Sequence, residues 1–339
     1  MKVTEKPSLQ GLNTFGVDAS AQLMLTLESE EDLLSLPPFD PGRDLLLGGG
    51  SNLLLAGDVP GTVLQNRILG KEILESGQHH ATIEVGAGEN WHEMVTWSLS
   101  RGFSGLENLS LIPGLAGAAP IQNIGAYGVE LASMLENVTA WDLQRHNWVS
   151  FSRDQCRFAY RDSLFKTVHP DRYLITSIRL RLNRQFAPRL DYSGLAEELA
   201  RFGISHPTAI EVSEAVIRLR RRKLPDPSVV GNAGSFFKNP VLDREEALSL
   251  LALNPKMAAW THTDDTMKIS AAWMIEHCGF KGSRQGDAGV SEQHALVLVN
   301  HGAADGRQLL ELASRIQSTV HSTFGIRLEP EPRIVDFSG

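Results

Sequence analysis

Asn108 to Val129 runs for 22 residues without a charge, and this stretch limits the fold more than any other in the chain. Its length is enough to cross a bilayer. Its content is wrong for one: Pro113, Pro120, Gly114, Gly117, Gly125 and Gly128 would break a helix, and Gln122 and Asn123 would strand polar groups in lipid. The segment therefore belongs inside a folded protein, as irregular buried backbone wrapped around something. From Gly105 the run GLENLSLIPGLAGAAPIQNIGAYG mixes small residues with hydrogen-bonding ones. That mixture suits a cradle for a long phosphate-bearing group, and a space-filling buried loop is the other reading it allows.

Further segments share this character. GNAGSFFKNP, Gly231 to Pro240, sets Ser235 among glycines, a Phe236–Phe237 pair, Lys238 and two asparagines, Asn232 and Asn239. A closed pocket for a polar ligand fits it, and so does a glycine turn running into a buried strand. Gly48-Gly49-Gly50-Ser51-Asn52 offers backbone N–H groups and two side chains where a phosphate can approach closely, although ligand-free glycine hairpins are common. It is no Rossmann fingerprint, because no G-x-G-x-x-G enters a helix. LEPEPR holds Glu331 between Pro330 and Pro332, which restrain the backbone and keep the carboxylate extended; a proline-bracketed sheet edge gives the same pattern.

Three charged or aromatic candidates are less specific by themselves. Cations in the run Arg220 to Lys223 close a helix, where they offset its dipole and are usually solvated. Lys223 nonetheless stands shortly before the Gly231 segment, near enough for one charge to face a phosphate. Arg161 beside Asp162 in YRDSLFK reads locally as an exposed ion pair. Tyr192 in LDYSGL reads equally as a ligand contact or as half-buried packing.

Periodicity supplies an α+β alternation without a repeat. Asp44 to Leu47, the glycine turn and Leu53 to Leu55 read as strand, turn and strand. Ile83, Val85 and Ala87 alternate with polar residues before a helix from about Asn90 to Arg101, closed by Gly102. Val212, Ala215, Val216 and Leu219 share one helical face. A helix is expected over Ser270 to Cys278 and a strand over His294 to Asn300. Leu309, Ala313, Ile316 and Val320 then stripe a helix leading to a last strand, Ile326 to Val335.

Composition removes several classes. At 339 residues, 42% hydrophobic and 21% charged, the chain is an ordinary globular one with room for two or three domains. Thirty-two basic against 40 acidic residues leave a formal charge of −8, which argues against a general nucleic-acid binder. Cys156 and Cys278 are the two cysteines, far apart and without a CxxC, so neither a disulfide framework nor a cysteine-built zinc site is expected. No histidine spacing suggests a metal. The first residues contain no apolar signal core, and a reducing cytoplasm is the expected compartment.

In order along the chain, NTFGVDASA at 13–21, LGGGSNLLL, VGAGENWHEMV, GLENLSLIPG, PIQNIGAYGVEL, CRFAYRDSLFK, KLPDP, GNAGSFFKNP and LEPEPRI resemble one family. It is the bacterial UDP-N-acetylenolpyruvoylglucosamine reductases, also called UDP-N-acetylmuramate dehydrogenases. The segment around Tyr192 marks the longer of the family's two types. Two positions depart from the usual pattern: Pro332 where a β-branched apolar residue is commoner, and Gly49 where relatives often carry a larger residue.

The resemblance implies an α+β flavoprotein of three domains. Residues 1–69 with 325–339, and 70–209, would form a two-domain FAD cradle of the vanillyl-alcohol-oxidase type. Residues 210–324 would form a substrate-binding α+β domain. By the same resemblance, noncovalent FAD would lie against Gly48, Gly49, Gly50, Ser51, Asn52, Pro113, Gly114, Gln122, Asn123, Gly125, Ala126, Tyr127 and Gly128. NADPH would be the reductant and the enolpyruvyl ether of UDP-N-acetylglucosamine the substrate, reduced to UDP-N-acetylmuramate for peptidoglycan synthesis. Arg161 would stabilise charge on the substrate carboxylate, Glu331 would donate a proton or orient Arg161, and Ser235 would protonate carbon. Tyr192, Lys223 and Asn239 would touch the diphosphate or the nicotinamide nucleotide. A cytoplasmic monomer without nucleic-acid partner or membrane insertion is the expected form. An oxidase sharing the flavin cradle and a non-enzymatic flavin or nucleotide-sugar carrier are the rival classes.

Overall fold

The computed structural model describes residues 1–192 and 194–337. Its contacts divide into two compact units, the first made of Met1–Pro7, Ala21–Gly50 and Val59–Arg221, the second of Ser8–Ser20, Ser51–Asp58 and the chain from Arg222 onward. No helix among the described residues is long and apolar enough to cross a membrane.

Besides a two-stranded sheet, Gly125–Ala126 with Val129–Glu130, the first unit holds two larger ones. In one, Lys2–Glu5 pairs antiparallel with Ala21–Leu27, which runs parallel to Val59–Asn66, itself parallel to Leu45–Leu47. The other is fully antiparallel, in the order Asn147–Ser152, Leu135–Asp142, Tyr173–Asn183, His80–Gly86, Lys71–Ser76. The alternation read at Ile83 and Val85 turns both inward from His80–Gly86. Helix α1 (Trp91–Ser100) starts where the Asn90 side chain accepts from the Glu93 amide and stops before Gly102, whose φ is +76°. Met94, Val95 and Leu99 of α1 share one core with Ile83, Val85, Leu109, Ala116, Ala119 and Ile124. The charge-free segment is therefore part of the core. Helices α2 (Leu195–Arg201) and α3 (Ala209–Lys223) build a satellite cluster in which Leu195, Leu199, Val212, Ala215, Val216 and Leu219 pack with Tyr127. Each such apolar side chain contributes roughly 1.5–3 kcal/mol on burial.

In the second unit, Gly231–Asn232, Leu298–Asn300, Ala288–Val290 and Arg284–Gln285 form an antiparallel sheet in that order. Val241–Asp243, Thr266–Ile269 and Ala259–Thr261 form a second, accompanied by α4 (Arg244–Leu253). Helix α5 (Ala271–His277) is capped by Ser270 and stops before Gly279 at φ +80°. Helix α6 (Gly306–Phe324) opens with a capping box between Asp305 and Gln308 and buries the expected Leu309, Ala313, Ile316 and Val320.

The expected strand, turn and strand form at 45–55, with the two strands in separate sheets: Leu45–Leu47 lies beside Val59–Asn66, and Leu53–Leu55 pairs in parallel with Arg333–Val335. Two expectations need correction. The last strand is only Arg333–Val335, because Pro330 and Pro332 have no N–H to give a ladder. Pro332 precedes the pairing and does not disturb it, since the Arg333 amide still donates to the Asn52 carbonyl at 3.0 Å. The strand expected from His294 starts at Leu298, after a turn in which the Val297 amide donates to the His294 carbonyl.

Candidate active site

Within the first unit the two suspected cradle segments meet. A side-chain carbon on Gly49 would stand 3.0 Å from the Gly114 Cα and 3.4 Å from Leu115, and one on Gly48 would stand 3.8 Å from Ala118. Two backbones approach here as only glycines allow, and both can present N–H groups to a phosphate. In the second segment Leu115, Ala116, Ala119, Ile124 and Val129 are buried, while Pro113 and Gly128 are exposed and Gly114, Gln122, Gly125 and Ala126 half-buried. The apolar members anchor the segment, and the expected contacts other than Asn123 and Tyr127, which are buried, keep accessible surface. This fits a flavin nucleotide.

Strain collects in the same place. Leu111, Asn123, Tyr127 and Arg161 have φ of +58°, +45°, +49° and +56°, a conformation that costs a non-glycine residue about 1–3 kcal/mol. Asn123 is 1% exposed. Its amide donates to Glu130 Oε2 at 2.9 Å and to the Ala159 carbonyl at 3.1 Å, and its Oδ1 accepts from the Ala132 amide at 3.0 Å. Its side chain thus holds the segment together, leaving only backbone for a cofactor. Arg161 donates from Nη2 to the Gly125 carbonyl at 2.7 Å, which seats the guanidinium directly on the cradle.

Sequence reading missed Arg220 as the inward member of the basic run. Arg221, Arg222 and Lys223 are exposed, whereas Arg220 donates from Nε to the Leu111 carbonyl at 3.2 Å. Burial holds its pKa below the ordinary arginine value; Tyr127 and Tyr192 oppose that shift and Arg161 adds to it. It remains a cation at neutral pH. The signal was present, because Arg220 lies four residues after buried Val216, beside the inward face. The Tyr127 and Tyr192 rings touch edge to face at 4.8 Å. His92 accepts from the Leu111 amide through Nδ1 at 3.1 Å, and burial, followed by Arg221 and Arg220, keeps it below its usual pKa and so neutral.

The second unit holds the serine and glutamate segments. Gly234 at φ +71° turns the chain into Ser235, and the Phe236 amide donates to the Leu296 carbonyl at 2.7 Å. The Glu331 amide donates to the Phe236 carbonyl at 2.8 Å, and the Lys238 amide to the Glu329 carbonyl at 2.9 Å. LEPEPR therefore lies alongside GNAGSFFKNP, and Ser235 and Glu331 are both half-buried. Asn52 is in the same unit, its amide reaching the Glu331 carbonyl at 3.5 Å. Asn239 accepts from the Ala271 amide through Oδ1 at 3.0 Å, at the start of α5, which leaves its NH₂ for other partners. Burial and the charges of Lys223 and Lys281 hold His294 below its usual pKa, which places it in the field of Lys223.

A protein named UDP-N-acetylenolpyruvoylglucosamine reductase from Xanthomonas campestris pv. campestris (strain B100) is 48% identical over 340 residues, covering 98% of this chain and 96% of that protein. The chain belongs to the UDP-N-acetylenolpyruvoylglucosamine reductase family. The Pseudomonas aeruginosa reductase of the same name is 47% identical, over 98% of this chain and 99% of the relative. The family model for the reductase C-terminal domain matches residues 226–335, and an FAD-binding domain model matches residues 43–144. The crystal structure of the Thermus caldophilus reductase superposes with a TM-score of 0.69 at 28% identity, over 99% of this chain and 100% of that one. The cradle segments fall within the FAD-binding match and the serine and glutamate segments within the reductase C-terminal match.

Proposed function

We propose that this chain reduces the enolpyruvyl ether of UDP-N-acetylglucosamine to UDP-N-acetylmuramate, the lactyl sugar nucleotide of peptidoglycan synthesis, with NADPH as reductant. FAD, when bound, supplies a hydride relay from NADPH to the terminal vinyl carbon; a proton added to the neighbouring carbon balances the reduction. The observation that carries this reading is the backbone bond joining the Ser235 segment to Glu331 in a chain with an FAD-binding domain.

The proposed holders of FAD are Gly48, Gly49, Gly50, Ser51 and Asn52 with Pro113, Gly114, Gln122, Asn123, Gly125, Ala126, Tyr127 and Gly128, and Asn123 acts through its backbone. Arg161 opposes charge that collects on the substrate carboxylate, as a fixed cation in a site poor in water. Ser235 protonates carbon: a hydroxyl is a weak acid and suits only a strongly basic acceptor, which a carbanion-like centre is. Glu331 supports that transfer as a proton donor or by orienting Arg161. Lys223, Tyr192 and Asn239 contact the diphosphate or the nicotinamide nucleotide. We read the chain as a cytoplasmic monomer with three domains, 1–69 with 325–339, 70–209, and 210–324. The test is direct: the purified protein is yellow, NADPH bleaches it, and the enolpyruvyl nucleotide restores the colour. A yellow protein that NADPH cannot bleach would instead be a carrier.

A further inference from the structure

We infer that Asn108 is a positioning residue that ties the loop bearing Tyr192 to the cofactor segment, and so couples binding of the sugar nucleotide to FAD occupancy. This rests on the reading of Tyr192 as a substrate contact and of Tyr127 as part of the flavin cradle. Asn108 is fully buried at 0% exposure. Its Nδ2 donates to the Tyr127 carbonyl at 2.8 Å and to the Arg189 carbonyl at 3.0 Å. Two carbonyl acceptors fix which end of the amide faces them, since only the NH₂ can donate.

The loop it reaches packs Phe186 and Leu190 against the α2–α3 cluster, and its backbone is held separately. The strand Tyr173–Asn183 has ended and α2 begins at Leu195, so the backbone around Arg189 belongs to no ladder. Arg189 is thus held through its carbonyl by Asn108. Three residues later the Tyr192 ring meets the Tyr127 ring at 4.8 Å. The two segments are joined twice, once by an amide group and once by an aromatic edge. Tyr127 itself sits at φ +49°, a strained backbone whose carbonyl is kept inward by the same asparagine. A cofactor that orders this segment fixes the Tyr127 carbonyl, and through one side chain it fixes the approach of Tyr192. Linkage makes the effect reciprocal, so bound sugar nucleotide also tightens FAD.

The test is a double-mutant cycle on the holoenzyme with Asn108→Ala and Tyr192→Phe. Asn108→Ala should raise KM for the enolpyruvyl nucleotide about tenfold while flavin reoxidation at saturating substrate stays within about threefold. Tyr192→Phe should add less than about threefold to KM in the Asn108→Ala background, because its contribution is already lost. Asn108→Asp keeps the size but sets oxygen against both carbonyls, and should act in the same direction. Hydrogen–deuterium exchange supplies a readout independent of turnover: Asn108→Asp should speed exchange over 184–192 and leave the sheet strands unchanged. Fully additive KM effects, or unchanged exchange in that loop, overturn the tie while leaving Tyr192 a substrate contact. If Tyr192→Phe alone leaves KM unmoved, the substrate reading of Tyr192 fails, and the coupling fails with it.

Discussion

The amide of Glu331 donates to the carbonyl of Phe236 at 2.8 Å, so the residue that follows Ser235 in sequence carries the proline-bracketed carboxylate as its backbone partner. Pro330 and Pro332 have no N–H, and Glu331 alone among these three can make that bond. The sequence pattern PEP thus selects which residue is registered against the serine segment, a geometric reason for placing a glutamate between two prolines.

Ser235→Ala separates the two halves of the proposed reaction. Alanine keeps the small side chain that follows Gly234 and removes the hydroxyl. The variant should fold, bind FAD and be bleached by NADPH within a few-fold of the parent rate. Recolouring by the enolpyruvyl nucleotide should slow by at least about 10²–10⁴, the usual worth of a general acid. Stopped-flow flavin absorbance reads both steps; equal slowing of the two would make Ser235 structural.

The flavin should leave intact on denaturation. Neither Gly48 to Asn52 nor Asn108 to Val129 contains a histidine or cysteine to form a covalent link. Acid precipitation should release all the yellow colour into the supernatant, and colour held in the pellet would contradict noncovalent binding.

Tyr192→Phe and Lys223→Ala should act mainly on KM for the sugar nucleotide. Loss of a charge-assisted contact to a diphosphate corresponds to roughly ten- to a hundredfold in affinity. Steady-state kinetics with unchanged KM in both variants would remove these residues from the substrate site.

Glu107 gives the protein a pH signature. Burial raises its pKa above 4.5 in the folded state, against the smaller effects of the Gly105 amide and Arg189. Above pH 4.5 the unfolded chain loses this proton first, so its contribution to stability is complete below that pH and declines as pH rises through the folded pKa. Glu107→Gln keeps an oxygen for the Gly105 amide and has no proton to lose. The Tm of the variant minus that of the parent should rise as pH increases from 4.5 and then level off. A difference independent of pH would mean that Glu107 titrates alike in both states.

Local chemistry made much of this legible. Caps and glycines give the ends of α1 and α5 to within a residue or two, and the stripes of α3 and α6 give their buried faces. The absence of charge from 108 to 129 gave its burial. What local pattern does not carry is pairing at a distance: Leu53–Leu55 finds its partner at Arg333–Val335, which nothing near the glycine turn encodes. The working end of a polar side chain was equally hidden. No motif shows that the Asn123 amide bonds Glu130, that Asn239 Oδ1 accepts from the Ala271 amide, or that Arg220, within a run expected to be solvated, reaches the Leu111 carbonyl. Motif reading found the segments, and only packing assigned the atoms.

The parallel pairing of Leu53–Leu55 with Arg333–Val335 also sets an order of events at the ribosome. Most of the first unit is complete once Arg221 has emerged, but the second recruits Ser8–Ser20 and Ser51–Asp58 from the start of the chain. Ser8–Ser20 has to wait for Asn232 and Asn300, and Leu53–Leu55 for Arg333–Val335. A chain cut before Arg333 therefore lacks the partner of a strand made much earlier, leaving Leu53, Leu54 and Leu55, buried in the folded protein, without their pairing strand and the nascent protein a client for chaperones.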